Sequence, residues 1–98
     1  MVKHMIIWKL KEEYKDREGR KKEIKESLEG LVGKIRGLKE MHIYYDPMAG
    51  SAGDLFMDST FEDAASLAAY QKNFLHIEIA NKLVRPAVEQ RLSFDYEC

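Results

Sequence analysis

The chain has little that would tie it to a special environment. Its 98 residues include one cysteine, Cys98, so a disulfide within the chain is excluded, and no paired Cys/His spacing suggests a structural zinc site. A lone cysteine is typical of a protein from a reducing compartment. The 16 basic and 17 acidic residues leave a net charge of −1. The sequence therefore lacks the excess of positive charge that favours binding to nucleic acid or anionic lipid.

Long apolar runs are also missing. The first apolar segment lies between Lys3 and Lys9, which makes it too short, and too soon charged, for a signal peptide or a membrane span. We therefore expect a cytoplasmic protein without a membrane partner. With 45% hydrophobic and 34% charged residues, and no linker or repeat, residues 1–98 are predicted to form a single globular domain.

The chain opens with a segment, Lys3–Leu10, that alternates with period two. One face carries His4, Ile6, Trp8 and Leu10, and the other carries Met5 and Ile7. This pattern predicts a strand that is apolar on both faces.

A highly charged stretch follows, and apolar residues then recur at helical spacing: Ile24, Leu28, Leu31, Val32 and Ile35. The pattern predicts an amphipathic helix that ends at Gly37, since glycine commonly follows the last helical turn. From Leu38 the period changes to two, which predicts a second strand that ends before Asp46-Pro47.

The small residues 48–53 predict a flexible hairpin tip before a third strand over residues 54–60. A second, alanine-rich helix should begin with a capping box made by Ser59 with Glu62 or by Thr60 with Asp63. Helical spacing resumes after Phe74 and ends near Arg85-Pro86, where Pro86 can open one more turn. A last strand is predicted over Arg91–Tyr96.

The order strand, helix, strand, strand, helix, strand predicts an α+β fold of the ferredoxin-like β-α-β-β-α-β type. Its antiparallel sheet would carry helices on one face only. The other face would expose apolar bulk from Tyr44, Phe56 and Phe94, more than a monomer usually tolerates. We therefore expect two copies to pair through this face as a homodimer.

Three histidines are candidates for chemistry because only histidine normally changes charge near neutral pH. His42 alternates along a strand and is expected to be exposed or at an interface. His4 lies among apolar residues, where a core histidine with a satisfied hydrogen bond is the alternative to a site residue. His76 follows Tyr70 by six residues, which separates their side chains by about 120° on one unbroken helix. They share a pocket only if the helix breaks, and Asn73 is the candidate because asparagine tolerates the left-handed conformation.

Three segments, Val2–Leu10, Tyr70–His76 and Leu92–Glu97, resemble the stress-responsive dimeric α/β-barrel (Dabb) domain family. The resemblance spans almost the whole chain. It implies a dimer of ferredoxin-like subunits, and most members have no assigned reaction. A plant polyketide cyclase of the family uses a strand histidine, a helix tyrosine and a following histidine, which the resemblance places at His4, Tyr70 and His76.

The sequence also departs from that family pattern. Asn73-Phe74 replaces the usual His-Pro pair, so the resemblance does not by itself assure the helix break. Leu28 and Leu55 stand where the cyclase has a further tyrosine and histidine. These two leucines predict a more apolar cavity and a different substrate.

Three functions remain open. The first is a dimer that binds a small hydrophobic ligand without a reaction. The second is a cofactor-independent cyclase, isomerase or lyase acting on a polyketide-like carbonyl compound, with His76 as general base, Tyr70 holding or protonating the enolate oxygen, and His4 tuning His76 or the substrate. Related folds also include cofactor-free oxygenases and haem-degrading enzymes, and in a haem-degrading enzyme His76 would be an axial ligand. The enzyme hypothesis requires His76 and Tyr70 to face one cavity.

Overall fold

The computed structural model describes residues 1–98. Four strands and three helices follow one another along the chain: β1 (Val2–Leu10), α1 (Arg17–Glu29), β2 (Leu38–Tyr45), β3 (Leu55–Phe61), α2 (Ala64–Lys72), α3 (Phe74–Ile79) and β4 (Val88–Glu97). A π-helical turn, Ala80–Val84, continues α3. None of the helices has the length and apolar character needed to cross a membrane.

The strands form one antiparallel sheet in the order β2-β3-β1-β4. A short loop joins β2 to β3 as a hairpin. The connections β1-α1-β2 and β3-α2-α3-β4 are helical crossovers, and they leave β1 between β3 and β4. The helices all pack on one face. The predicted β-α-β-β-α-β fold is therefore confirmed.

The core lies between the helices and the inner face of the sheet. Alternate residues of β1 are buried there, as the period-two pattern predicts, and α1 and α2 contribute apolar side chains from the other layer. The most deeply buried members from the helices are Ile24, Leu28 and Tyr70. His4 is buried in the same layer and is only 2% exposed.

The first helix is shorter than its apolar spacing predicts. It begins after Asp16, whose carboxylate accepts a hydrogen bond from the Gly19 amide at 3.1 Å, and it ends at Glu29 rather than near Gly37. Turns follow, and within them Gly33 adopts a φ of +89°, a conformation that regular helix does not contain. Val32, predicted on the apolar face, is consequently 42% exposed.

The predicted capping boxes are wrong. Ser59 and Thr60 are buried residues of β3, which continues to Phe61. The N-cap of α2 is Asp63, whose own carboxylate accepts a hydrogen bond from the Ser66 amide at 2.8 Å. At the other end of the chain β4 begins at Val88, three residues earlier than predicted, and Pro86 lies in a turn rather than opening another helical turn.

The outer face of the sheet carries no helix. Its large apolar side chains are exposed, including Ile7 on β1, Tyr44 on β2, and Leu92, Phe94 and Tyr96 on β4. Tyr44 stacks on Phe56, with ring centroids 6.2 Å apart. The bare apolar face expected from the sequence is thus present.

Candidate functional site

A cavity of about 280 Å³ lies between the helices and the inner face of the sheet. β1 contributes His4 and Trp8 to its wall, α2 contributes Tyr70, and α3 contributes His76. The three residues proposed from the sequence therefore lie around one cavity. His42 lies elsewhere, exposed on the outer face of β2 beside Tyr44.

A helix break at Asn73 brings Tyr70 and His76 together. Asn73 has φ −70° and ψ 133°, an extended conformation rather than the left-handed one expected from the sequence. Its amide donates to the Tyr70 carbonyl at 3.1 Å, and its side-chain oxygen accepts from the Leu75 amide at 2.9 Å. Asn73 thus follows one helix and caps the next, so α3 starts in a new direction.

The aromatic rings around the cavity are closely packed. Tyr70 and His76 stack with centroids 4.2 Å apart and planes inclined by 30°. His4 meets the Tyr70 ring edge-on at 6.5 Å, and Phe61 packs against Tyr70 at 4.9 Å from the core side. Packing on several sides therefore restricts the orientation of the Tyr70 ring.

His4 is held by a carboxylate on the neighbouring strand. Its Nδ1 forms a hydrogen bond with Asp95, the residue directly opposite it in the β1-β4 register. A carboxylate can only accept, so Nδ1 carries the proton and Nε2 of the neutral ring is left as the acceptor. On the other side of the backbone, the Ser59 hydroxyl donates to the His4 carbonyl at 2.6 Å.

Three residues that line the cavity have buried polar atoms without a hydrogen-bond partner. These atoms are Trp8 Nε1, Tyr70 Oη and His76 Nδ1. An unmet buried donor or acceptor costs about 1–3 kcal/mol. Their position around one cavity marks it as a place where a polar ligand atom would be stabilised.

The cavity also affects proton affinity. Burial lowers the pKa of His76, and the positive charges of Arg91 and Arg85 act in the same direction. Burial raises the pKa of Tyr70, an effect that Arg91 opposes only in part. His76 is thus biased towards the neutral imidazole and Tyr70 towards the protonated phenol, which are the states of a proton acceptor and a hydrogen-bond donor.

Sequence reasoning missed three charged residues at this site. Arg85 and Arg91 line the cavity, and Asp95 binds His4. The signal lay in the last strand: since Leu92 and Phe94 face outward, Arg91 and Asp95 must face the helices. Of the two leucines expected to make the cavity more apolar, Leu28 lines it, whereas Leu55 belongs to the core and not to its wall.

No group of three or more His, Cys, Asp or Glu side chains is arranged to hold a metal ion. The polar groups at the cavity are instead nitrogen and hydroxyl groups of separate strands and helices. Acid-base chemistry and hydrogen bonding are what this arrangement can supply without further components.

Comparison with known proteins places the chain in a family. Residues 2–98 match the model of the stress responsive A/B barrel domain, Dabb. A comparison with curated proteins gives no match. Among solved structures, a dimeric protein of unknown function with a ferredoxin-like fold from Bacteroides fragilis is 24% identical, with a TM-score of 0.88 over 99% of this chain and 95% of that one.

Two further structures share the fold. A Dabb family protein from Mesorhizobium loti is 18% identical, with a TM-score of 0.79 over 99% of this chain and 95% of that one. A hydroxynitrile lyase from Passiflora edulis is 18% identical, with a TM-score of 0.78 over 97% of this chain and 90% of that one. At these identities the structures establish the fold and leave the reaction open. With the family match over residues 2–98, this chain belongs to the stress responsive A/B barrel domain (Dabb) family and has its ferredoxin-like α+β fold.

Proposed function

We propose that the chain is a homodimeric binding protein whose cavity takes a small, mostly apolar molecule with a carbonyl or hydroxyl oxygen. The observation that carries this proposal is that three residues with unpaired buried polar atoms, Trp8, Tyr70 and His76, line one cavity. An indole N–H and a phenol O–H are both donors, so a ligand oxygen is the natural complement.

The distribution of unpaired atoms elsewhere supports this choice. Only two other buried side-chain polar atoms have no hydrogen-bond partner, and they belong to Arg20 and Asp58. Each of those residues has a charged neighbour: Arg20 Nε lies 3.6 Å from Glu23, and Asp58 forms an ion pair with Lys3. Trp8 and Tyr70 have no such compensation within the chain, and His76 is compensated only by the backbone of Gln71.

The rest of the wall favours an apolar body for the ligand. Ile6, Leu28, Met57 and Val84 line the cavity between the polar groups. Its volume of about 280 Å³ is near the lower end of small-molecule sites, which are about 300–1,000 Å³. A compact aromatic or branched compound fits this description better than a long chain.

The homodimer is part of the proposal. The outer sheet face exposes Tyr44 to 54%, Leu92 to 55% and Phe94 to 69%. A second copy is the partner best matched to such a face, because a twofold axis would set one apolar sheet against another. The structural neighbour from Bacteroides fragilis is dimeric and shares the fold, which supports this arrangement. We also propose that residues 1–98 act as one domain in the cytoplasm, in keeping with a lone cysteine.

A second candidate function, cofactor-independent proton transfer, is favoured by the His4–Asp95 hydrogen bond. His76 would remove a proton from the carbon next to the ligand carbonyl. The C–H electrons would then form a C=C bond, and the π electrons of the carbonyl would move to its oxygen. Tyr70 would donate a hydrogen bond or a proton to that oxygen. His4, oriented by Asp95, would tune His76 or the substrate. Cyclases, isomerases and some lyases share this step. The hydroxynitrile lyase of the same fold is an analogy only for the presence of a lyase on this fold.

Two matched probes test the binding proposal. 4-Phenyl-2-butanone carries a carbonyl on an apolar body, and butylbenzene has a similar body without it. Trp8 is the single tryptophan, so its indole N–H gives one resolved NMR resonance. We expect the ketone to shift this resonance and to bind more tightly than the hydrocarbon. Equal binding of both probes, or no shift with the ketone, would contradict the proposal.

Deuterium exchange separates binding from chemistry. In D₂O, an acid-base site should speed exchange at the carbon atoms next to the ketone carbonyl. His76→Phe and Tyr70→Phe should remove the acceleration, whereas the control His42→Phe, changed on the outer face, should retain it. Ketone binding without accelerated exchange would support the first function and eliminate the second.

A further inference from the structure

Two arginines at the cavity have no acidic partner. Arg85, in the turn after the π-helical segment, and Arg91, on β4, both line the cavity. Neither forms an ion pair or a side-chain hydrogen bond with the chain, whereas Arg17 pairs with Asp54 and Arg20 with Glu23. Both side chains are exposed, and no carboxylate of the chain neutralises either guanidinium group.

The cavity wall contains no carboxylate at all. Its charged residues are Arg85 and Arg91, and no Asp or Glu is among the residues that line it. Asp95 binds His4 from outside the wall and lies four residues beyond Arg91 on the same strand, about 13 Å along it. A chain with a net charge of −1 thus has a cavity whose wall carries positive charge only.

The strand register fixes where this charge lies. Arg91 is directly opposite Trp8 in the β1-β4 pairing, while Asp95 is opposite His4. Arg91 therefore lies at the Trp8 end of the cavity, and the His4–Asp95 pair lies towards the other end. His76 lines the same cavity as both arginines, and their charges lower the pKa of its imidazole.

We propose that Arg85 and Arg91 form a subsite for an anionic head group, a carboxylate or a phosphate, on the apolar ligand of this cavity. This inference rests on the proposed binding function and adds the substrate class to it. Guanidinium groups match the oxyanion geometry of both head groups and are charged at any physiological pH. The ligand would place its anion at Arg85 and Arg91 and its apolar body against Ile6, Leu28 and Val84.

Matched probes test this subsite. 4-Phenylbutanoate carries the anion and 4-phenylbutanamide is its neutral counterpart, while 2-phenylethyl phosphate tests the second head group. Binding is measured by the shift of the Trp8 indole resonance. At low salt we expect at least one anion to bind about five- to tenfold more tightly than the amide, with a preference that falls as salt rises. The anion with the larger preference identifies the head group.

Variants test whether Arg85 and Arg91 cause the preference for the anionic probe over the amide. Arg91→Gln and Arg85→Gln should each reduce the preference for the anion over the amide, and the double variant should abolish it. Arg36→Gln is the matched control, because Arg36 is also exposed and without an ion pair but does not line the cavity.

The outcomes separate this inference from the function on which it rests. If the amide binds and neither anion binds more tightly, the subsite is refuted and the binding function stands. If the preference survives in the double variant, the anion is recognised elsewhere and the subsite is also refuted. If none of the three probes shifts the Trp8 resonance, the proposed binding function itself fails.

Discussion

Replacing Phe94 with serine should separate the two copies of the proposed dimer. Phe94 lies on β4, opposite Met5 in the register, and projects from the bare outer face of the sheet. Its side chain is among the most exposed apolar groups of the chain, at 69%. In a dimer formed through this face it would be covered by the partner copy.

The size of the effect follows from this exposure. A phenylalanine buries about 150–250 Å² in all, so an exposed fraction of 69% leaves about 100–170 Å² for a partner to cover. At about 25 cal/mol per Å² this is about 2.6–4.3 kcal/mol per copy, lost twice in a twofold dimer. Even if half of that total is realised, the dimer weakens by about two to three powers of ten.

Sedimentation velocity over a dilution series measures this change directly. The wild-type chain should be dimeric at micromolar concentration, and Phe94→Ser should be monomeric there. Phe74→Ser is a matched control because Phe74 is 71% exposed but lies on α3, on the helix side of the sheet. A monomeric wild type, or equal weakening by the two substitutions, would refute pairing through the outer face.

Three further predictions concern the cavity. His76 should titrate below its ordinary pKa of 6.5 by NMR. Below pH 6.5 the unfolded chain therefore binds more protons than the folded chain. The contribution of neutral His76 to the free energy of unfolding is complete above pH 6.5 and is lost as the pH falls through the lowered pKa of the folded state. Urea unfolding of His76→Phe should show a flatter acid limb than wild type, and an identical limb would contradict the burial of the imidazole. Tyr70→Phe should raise the free energy of unfolding by about 1 kcal/mol, because it removes a buried hydroxyl without a partner; a loss of stability would mean that the hydroxyl is satisfied. Asp95→Asn should change the His4 ring tautomer, read from its ¹⁵N shifts, and slow ketone exchange without weakening ketone binding. Glu97→Gln on the same strand is its control, and an unchanged tautomer would remove Asp95 as a positioning residue.

The sheet and its bare face were predictable because their signal is local. Alternation along a strand assigns each side chain to a face without knowledge of the partner strand. Tyr44, Phe56 and Phe94 could therefore be assigned to the outer face before their neighbours were known. The order of elements then left only one face for the helices.

Helix ends were predicted less well because single hydrogen bonds and glycine conformations decide them. Apolar spacing continues through Leu31 and Ile35, which are buried, yet the helix has already ended at Glu29. These residues are buried from turns, so the apolar spacing continues in the sequence although the helix does not. Likewise, Asp63 caps α2 by itself, although the sequence offered two complete capping boxes nearby.

The cavity was predictable only in part, because its charged members depend on contacts between the ends of the chain. His4 and Asp95 are separated by 91 positions and meet only through the β1-β4 register. No local sequence pattern specifies the β1-β4 register. The break at Asn73, by contrast, is local, but its extended backbone and its cap on the Leu75 amide required the structure.

The β1-β4 register links the two surfaces on which the proposals rest. A shift of β4 by one residue would turn Leu92 and Phe94 towards the helices and Arg91 and Asp95 towards the outer face. The apolar pairing surface and the charged cavity wall would then be lost together. In the native register they lie on opposite faces of one strand, so Phe94→Ser and Arg91→Gln perturb pairing and anion binding separately. Loss of anion binding in Phe94→Ser would therefore show that the cavity depends on the dimer.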